Sequence, residues 1–563
     1  MSKPDSENGI ILSRREALLL SATAGMGIAL SKPGRAMDST KTTAHQEPGN
    51  CSTPRTAVAN TQDGKVRGFV SGDVFTFKGI PYGQNTGGEN RWLPAKPPAP
   101  WKDEYPALIY GPNCPQHLHD WTGLEQSFLQ DWDDGYQNED MLKLNIWTPS
   151  LTGKRAVMFY IHGGGYEFGS SYELPSHEGA QMARRHDVVQ VSVNHRLNVL
   201  GFLDVSEVGG SAYEDSVNLS FTDLVFALKW VRDNISNFGG DPDKVMIYGQ
   251  SGGGSKVTTL LGMPSAKGLI HRASAQSGGA GNIPTVEQQK EFSRRVIKEL
   301  GIGSKDMTAL QKMEWSRLSE AGRTVAAKMN YTRHDLVFGP PSGPGSIAQV
   351  GWTPCIDGRI INMKSFEDAA PDVSKDVPML IGSVSEEGNR MLSRPTEEQW
   401  HASLAEIIGD AKASALIAAM KRAHPEKSIP TLSYGVAGLT ARTKVQRMAK
   451  MKYELHAAPV YQYFFTWQSP MLEGAGAWHT SELAFCFDNT ERCAQGTGNT
   501  PEAQALAKKM ATAWANFARS GNPSQPGLDW TPADPDHGQT MVFDDECRMV
   551  DDPEGEVRKI IPG

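Results

Sequence analysis

Ser251 lies between glycines in Gly249-Gln250-Ser251-Gly252-Gly253, directly after the apolar run 244–248. An apolar run that passes through Gly-x-Ser-x-Gly into a helix is typical of a nucleophile elbow, a sharp turn that exposes a serine hydroxyl. Residues 254–261 predict the helix that follows, and the flanking glycines leave room for a crowded backbone. The pattern predicts a serine that attacks a carbonyl carbon.

A second glycine-rich segment, Gly163-Gly164-Gly165, follows the strand-like run 155–161. Serine attack on a carbonyl creates an oxyanion, and the loss of one N–H donor to it costs about 3 kcal/mol. Three glycines let backbone N–H groups approach that oxygen without a side chain in the way. The segment therefore predicts an oxyanion loop, and the alternative interpretation is an ordinary flexible loop.

A serine nucleophile also needs a base and an acid that orients the base. In elbow folds the chain order is serine, acid, histidine. Glu386 and Glu387 follow the strand-like run 377–382, and His479 lies in a loop of small residues after the strand-like run 460–466. The chain has 14 histidines. The residues alone do not decide which histidine or which carboxylate would act.

Several further motifs occur in the order typical of one family, and the chain resembles the type-B carboxylesterases. That group of α/β-hydrolases includes cholinesterases and para-nitrobenzyl esterases. The resemblance covers residues 56–550. The motifs that match are Phe77-Lys78-Gly79-Ile80-Pro81-Tyr82, Arg91-Trp92-Leu93-Pro94, Glu139-Asp140-Met141-Leu142, Asn194-His195-Arg196-Leu197 and Asn237-Phe238-Gly239-Gly240-Asp241-Pro242.

The resemblance implies a fold and a role for each matching residue. The fold would be an α/β-hydrolase, with a mostly parallel central sheet flanked by helices and with helical insertions around a catalytic gorge. Ser251 matches the nucleophile, His479 the base, and Glu387, directly before a glycine, the acid. Ser255 matches a serine that helps to hold the acid. The implied oxyanion donors are the N–H groups of Gly164, Gly165 and Gly252.

Three positions depart from the family pattern. Gln250 replaces the usual glutamate before the serine, and Gly252 replaces the usual alanine after it. Without that glutamate we expect neutral or anionic esters to be preferred over cationic ones. Trp132, among three aspartates, is an alternative cation surface, although a solvated loop is the plainer interpretation. Met141 replaces a cysteine, so Cys114 would lack its usual disulfide partner.

Length and charge limit the alternatives. The chain has 563 residues and a net charge of −8, without a basic surface for nucleic acid. Because the motifs spread from end to end, we expect one hydrolase domain over residues 56–563, after a linker at 37–55. No zinc spacing, P-loop or dinucleotide fingerprint is present, so we expect no cofactor and no metal. The sequence leaves the oligomeric state open.

The first 36 residues resemble a twin-arginine export signal. Arg14 and Arg15 precede the weakly apolar stretch 19–30, which is too short to span a bilayer as a mature helix. We expect cleavage near Ala36 or Met37, a periplasmic or secreted protein, and no stable membrane anchor. A cytosolic tail with chance arginines is the alternative. An oxidising compartment permits disulfides, and Cys486 with Cys493 is the expected pair.

The leading hypothesis is hydrolysis of a small carboxylic ester through an acyl-enzyme on Ser251. The same site would also suit a carbamate, an amide or a thioester. A non-catalytic binding protein is the alternative from another class, and the presence of Ser251, Glu387 and His479 argues against it.

Overall fold

A twelve-stranded sheet runs through the described part of the chain. The structure is a computed structural model, and it describes residues 50–51, 56–118, 123–279, 281, 283–303, 305–330, 350–388 and 394–561. The expected export signal at 1–36 and all of the expected linker except residues 50–51 lie outside the described residues. Residues Pro48–Gly563 form one compact unit.

The strands, in chain order, are β1 Asn50–Cys51, β2 Val58–Thr61, β3 Gly64–Arg67, β4 Phe69–Ser71, β5 Val74–Pro81, β6 Tyr105–Pro106, β7 Lys143–Thr148, β8 Arg155–Ile161, β9 Val189–Val193, β10 Gly240–Gln250, β11 Arg272–Gln276, β12 Met379–Val384, β13 Val460–Phe465, β14 Gln539–Phe543 and β15 Arg548–Asp551. The large sheet has the order β1-β4-β5-β7-β9-β8-β10-β11-β12-β13-β14-β15, and β2-β3-β6 form a small second sheet.

The helices are α1 Leu124–Gln130, α2 Ala180–His186, α3 Asn198–Phe202, α4 Ser206–Gly209, α5 Leu219–Asn234, α6 Gly252–Leu261, α7 Val286–Glu299, α8 Met307–Lys312, α9 Trp315–Asn330, α10 Glu397–Ile408, α11 Asp410–Ala423, α12 Ile429–Tyr453, α13 Leu483–Cys486, α14 Ala494–Thr497, α15 Pro501–Ser520 and α16 Gly555–Arg558. In the described chain none of them is long and apolar enough to cross a membrane.

The centre of the large sheet is parallel. The strands from β9 through β8, β10, β11, β12 and β13 to β14 pair in parallel, whereas β1, β4, β5, β7 and β15 pair with antiparallel partners. Parallel strands end at the same edge of a sheet, and ligands of open α/β sheets bind at that edge. The loops after β8, β10, β12 and β13 therefore meet there.

Helices cover both faces of the sheet, and the alternation of side chains along β8 shows how. Val157, Phe159 and Ile161 belong to a core cluster that also holds the buried residues of α5 and α6. Ala156, Met158 and Tyr160 face the other way and pack with the buried face of α15. Because successive strand residues point to opposite faces, this pattern places one helical layer on each side. The expected α/β-hydrolase architecture is confirmed.

Two of the covering helices have well-defined ends. The helix α5 begins at Leu219 and ends at Asn234, and a 3-10 turn continues it over Ile235–Phe238. The side chain of Thr500 caps α15 by accepting the N–H of Ala503. A threonine cap before a proline is a strong local start signal.

The expected disulfide between Cys486 and Cys493 is wrong, because both thiols are free. Cys486 is the last residue of α13, and its sulfur accepts a hydrogen bond from Nε2 of Gln276 at 3.4 Å. Cys493 is the N-cap of α14. A spacing of seven residues does not reveal these two helical turns. Cys114 is also free and buried, and its sulfur accepts the N–H of Leu197 at 3.3 Å.

Candidate active site

The turn after β10 holds Ser251 in a strained conformation. Its backbone has φ 57° and ψ −124°, which is unusual for a residue with a side chain. The N–H of Ser251 donates to the carbonyl oxygen of Gln276 at 2.8 Å, and its own carbonyl oxygen accepts from Ser255 at 3.1 Å. These bonds fix the turn between β10 and α6, where the sequence predicts a nucleophile elbow.

The glycines around Ser251 are required by close backbone contacts. A Cβ atom on Gly249 would lie 2.5 Å from the carbonyl oxygen of Ile161, and one on Gly253 would lie 2.1 Å from the same oxygen. A Cβ atom on Gly278, beyond β11, would lie 1.9 Å from the carbonyl oxygen of Ser251. The turn is therefore held between β8 and the segment that follows β11.

His479 and Glu387 form a pair at the same edge of the sheet. Nδ1 of His479 is hydrogen-bonded to Oε2 of Glu387, and both side chains are nearly buried. The other oxygen of Glu387 accepts the N–H of Val384 at 3.3 Å. The described contacts contain no hydrogen bond between the Ser251 hydroxyl and His479. Catalytic hydrogen bonds are often long in ligand-free enzymes and tighten with substrate.

Glu386 has other partners. One oxygen pairs with Nζ of Lys427 at 2.7 Å, and the other accepts the N–H of Ala477 at 2.7 Å and the Ser385 hydroxyl at 2.5 Å. Residue 477 lies two positions before His479. Glu386 therefore ties the loop after β12 to the loop that presents the histidine.

The side chain of Gln250 lies against the histidine ring. Its Nε2 atom is 3.3 Å from Nε2 of His479 and 3.4 Å from Nδ1, and Gln250 is 2 % exposed. Where the family usually has a carboxylate, this chain places a neutral amide beside the imidazole.

The three glycines expected to bind the oxyanion lie close together. Gly164 and Gly165 have φ values of 79° and 69°, the left-handed region that favours glycine. A Cβ atom on Gly252 would lie 2.6 Å from the carbonyl oxygen of Gly165 and 2.7 Å from its nitrogen. Within the described structure, the N–H groups of Gly164, Gly165 and Gly252 have no acceptor.

Ser255 lies on α6 but does not contact the acid. Its hydroxyl oxygen accepts the N–H of Gly279 at 3.3 Å. Between described residues there is no hydrogen bond from Ser255 to Glu387. Here the serine links α6 to the segment after β11.

Two ionisable residues near the site are buried, which the sequence does not predict. Lys256 on α6 and Glu482 just before α13 are both fully buried. Burial, followed by the negative charge of Glu387, raises the pKa of Glu482 to about 8. The residue types do not indicate this burial, since lysine and glutamate are usually exposed.

The alternative cation surface at Trp132 is a hydrogen-bonded turn. Nε1 of Trp132 donates to Oδ1 of Asp134 at 3.0 Å, and Oδ1 of Asp133 accepts the N–H of Gly135 at 2.8 Å. Across the described residues, no group of three His, Cys, Asp or Glu side chains is arranged to hold a metal ion.

The arrangement of elbow, histidine–carboxylate pair and glycine loop agrees with the comparison to known proteins. The model of the carboxylesterase family matches residues 55–558. The chain belongs to the carboxylesterase family. It is therefore an enzyme of the carboxylic ester hydrolase class, and the expected family is confirmed.

This carboxylesterase is similar to relatives of about the same length. It is 32 % identical over 514 residues to the para-nitrobenzyl esterase of Bacillus subtilis, which covers 90 % of this chain and 98 % of the relative. It is 32 % identical to the phenmedipham hydrolase of Pseudarthrobacter oxydans over 88 % of this chain and 96 % of that one. A solved Clostridium hathewayi esterase, described as able to hydrolyse aliphatic aromatic polyesters, has a TM-score of 0.76 and 32 % identity, covering 91 % and 99 %.

Proposed function

We propose that this carboxylesterase cleaves small carboxylic esters through an acyl-enzyme on Ser251. His479 takes the hydroxyl proton as the serine oxygen bonds to the ester carbonyl carbon. The tetrahedral intermediate then expels the alcohol, which receives the proton from His479. Water attacks the acyl-enzyme by the same sequence and releases the acid and free Ser251.

One observation carries this proposal. The strained serine, the histidine–carboxylate pair and three N–H groups that have no acceptor among the described residues follow parallel strands of one sheet. Glu387 would keep the imidazole in the tautomer whose Nε2 accepts the proton, and would stabilise the imidazolium that forms. The N–H groups of Gly164, Gly165 and Gly252 would stabilise the oxyanion.

The decisive experiment combines a mutation with covalent labelling. Ser251→Ala should lower kcat for a para-nitrophenyl ester by roughly 10⁴ to 10⁶ without loss of folding. A fluorophosphonate should label wild-type Ser251 and leave the mutant unlabelled. Near-normal turnover by a folded mutant, or a label on another residue, would contradict the proposal.

A panel of substrates would determine which type of bond the enzyme prefers to cleave. Carbamates, amides and thioesters would use the same serine, and relatives in the family carry names for different substrates. We expect the highest kcat/KM for esters in a panel that matches acyl groups across the four bond types. A carbamate or thioester with a higher value would replace the ester as the preferred substrate.

We also propose export of the folded enzyme by the twin-arginine route. The support is the pair Arg14 and Arg15 before the weakly apolar stretch 19–30. Arg14→Lys with Arg15→Lys should retain the precursor in the cytoplasm, while Lys3→Arg should not. Export of the double mutant at the normal rate would exclude this route.

A further inference from the structure

Lys256 lies on α6, about one helical turn after the proposed nucleophile, and is completely buried. Its Nζ atom donates to the carbonyl oxygen of His162 at 3.1 Å and to that of Gly163 at 3.4 Å. Nζ also lies 5.9 Å from the centre of the Tyr166 ring. The amino group of Lys256 thus lies against the oxyanion loop.

No carboxylate in the described chain lies within ion-pair distance of this lysine. The nearby acid Glu173 has its own partners: Oε2 accepts the N–H of Ser170 at 2.7 Å and lies 3.3 Å from Nδ1 of His177. Burial lowers the pKa of Lys256 to about 7, and the charge of Glu173 only partly opposes this. A buried cation without a counterion is costly, so its contacts with the loop carbonyls matter.

Two histidines complete the surroundings of Lys256. The rings of His162 and His195 lie with centroids 4.8 Å apart behind the loop. Burial, together with the positive charge of Lys256, holds the pKa of each well below its usual range, so both are neutral at neutral pH. Nδ1 of His162 also lies 3.1 Å from the carbonyl oxygen of Gly163. Lys256 therefore shares this oxygen with a neutral imidazole and, when protonated, adds a positive charge beside it.

The geometry of one peptide unit links Lys256 to catalysis. The carbonyl of Gly163 and the N–H of Gly164 belong to the same peptide, which is trans. In a trans peptide these two groups point in opposite directions. A donor on α6 that holds the carbonyl of Gly163 therefore also fixes the direction of the Gly164 N–H, which points the opposite way.

We propose that Lys256 is a positioning residue of the oxyanion hole, which holds and polarises the Gly163–Gly164 peptide through its carbonyl oxygen. A donor on the carbonyl strengthens the N–H as a donor, most of all when the lysine is protonated, because hydrogen bonds in a chain polarise one another. The proposal rests on the proposed function, since it assigns the Gly164 N–H to the oxyanion. The loop also approaches Ser251 closely: a Cβ atom on Gly163 would lie 3.4 Å from Cβ of Ser251.

A second buried lysine provides a matched control. Lys452 on α12 is 2 % exposed, and its Nζ donates to the carbonyl oxygens of Ser374 and Lys375 at 3.1 and 2.7 Å. Those carbonyls belong to a 3-10 turn, Asp372–Ser374, and its following residue, which precede β12 rather than follow it. If Lys256 had only a structural role, its replacement should have the same effects on activity and stability as the replacement of Lys452.

The test compares Lys256→Met with Lys452→Met in the full-length enzyme. We expect both to lower Tm, but only Lys256→Met to lower kcat for a para-nitrophenyl ester, by about 10- to 100-fold with little change in KM. Affinity for a trifluoromethyl ketone, which forms a tetrahedral oxyanion adduct with serine, should fall by a similar factor. Lys256→Arg, which keeps the cation, should recover part of both losses.

Two outcomes would overturn the inference. One is a folded Lys256→Met enzyme with wild-type kcat and wild-type ketone affinity. The other is an equal loss of kcat in Lys452→Met, which would make the effect a general loss of stability. If Lys256→Met does not fold, Lys256→Gln is judged by the same ketone affinity. Activity that survives Ser251→Ala would instead reject the proposed function itself.

Discussion

Glu386 and Glu387 are adjacent in the chain, yet their carboxylates have entirely different partners. Glu387 is hydrogen-bonded to Nδ1 of His479, whereas Glu386 is paired with Lys427 and with the N–H of Ala477. One carboxylate contacts the imidazole, and the other holds the loop that carries the histidine.

The two carboxylates should respond differently to removal of their charge. Glu387→Gln should lower kcat by about 10⁴, because the imidazole loses the acceptor that selects its tautomer, with a small change in Tm. Glu386→Gln should mainly lower Tm, because it leaves the largely buried Lys427 without its counterion. The measurements are kcat at one pH and thermal unfolding of monodisperse protein. A crippled but stable Glu386→Gln enzyme would reverse the assignment.

A methyl group at position 252 should displace the oxyanion loop. The added Cβ atom of Gly252→Ala would lie 2.6 to 2.8 Å from three backbone atoms of Gly165. The loop must shift, so we expect kcat to fall by roughly 10-fold or more while Tm changes little. Gly303→Ala is the control, since a Cβ atom there meets nothing within 4 Å. Unchanged kcat and ketone affinity in Gly252→Ala would exclude Gly165 from the oxyanion hole.

Gln250 should set the charge preference of the site. The wild-type enzyme should prefer a neutral ester to its isosteric choline ester. Gln250→Glu would put a carboxylate about as close to His479 as the present amide at 3.3 Å. It should favour the imidazolium form, so the acidic limb of the kcat/KM profile moves up by about one pH unit or more. The choline ester should gain relative to the neutral one.

The control for that change is Gln250→Met, which adds no charge and should leave the acidic limb in place. Profiles of kcat/KM against pH for the two esters decide the matter. If the ratio of the two esters stays constant in Gln250→Glu, residue 250 does not set the charge preference, and the Trp132 loop becomes the next surface to test.

Local signals in the sequence predict the local elements well. Thr500 and Pro501 mark the start of α15, and the apolar run 155–161 coincides with β8. The conformation of Ser251 is also local, because glycines that flank a serine after a strand predict a tight turn. The β12 strand begins two residues later than expected, since Val377 and Pro378 precede the first paired residue.

Contacts between distant segments explain what the sequence does not predict. Lys256 binds carbonyl groups 93 and 94 residues earlier in the chain, so its burial follows from the packing of β8 against β10 and α6. Likewise, Cys486 faces Gln276, 210 residues away, rather than the nearby Cys493. Residue spacing carries no information on either contact.

Glu482 provides a prediction about stability. Burial, followed by the charge of Glu387, raises its pKa from 4.5 to about 8. Between these pH values the native protein keeps a proton that the unfolded chain has lost. The free energy of unfolding must therefore fall as the pH rises through this window, and the fall ends above about pH 8.

Glu482→Gln removes this titration, so the mutant should gain stability relative to wild type from pH 5 to pH 8. The gain approaches an upper limit of about 1.4 kcal/mol per pH unit, the value for one proton. Urea unfolding at four pH values measures it, with the exposed Glu314→Gln as the control for a lost surface charge. A difference between mutant and wild type that stays constant with pH would mean that Glu482 is ionised in the native enzyme, beside Glu387.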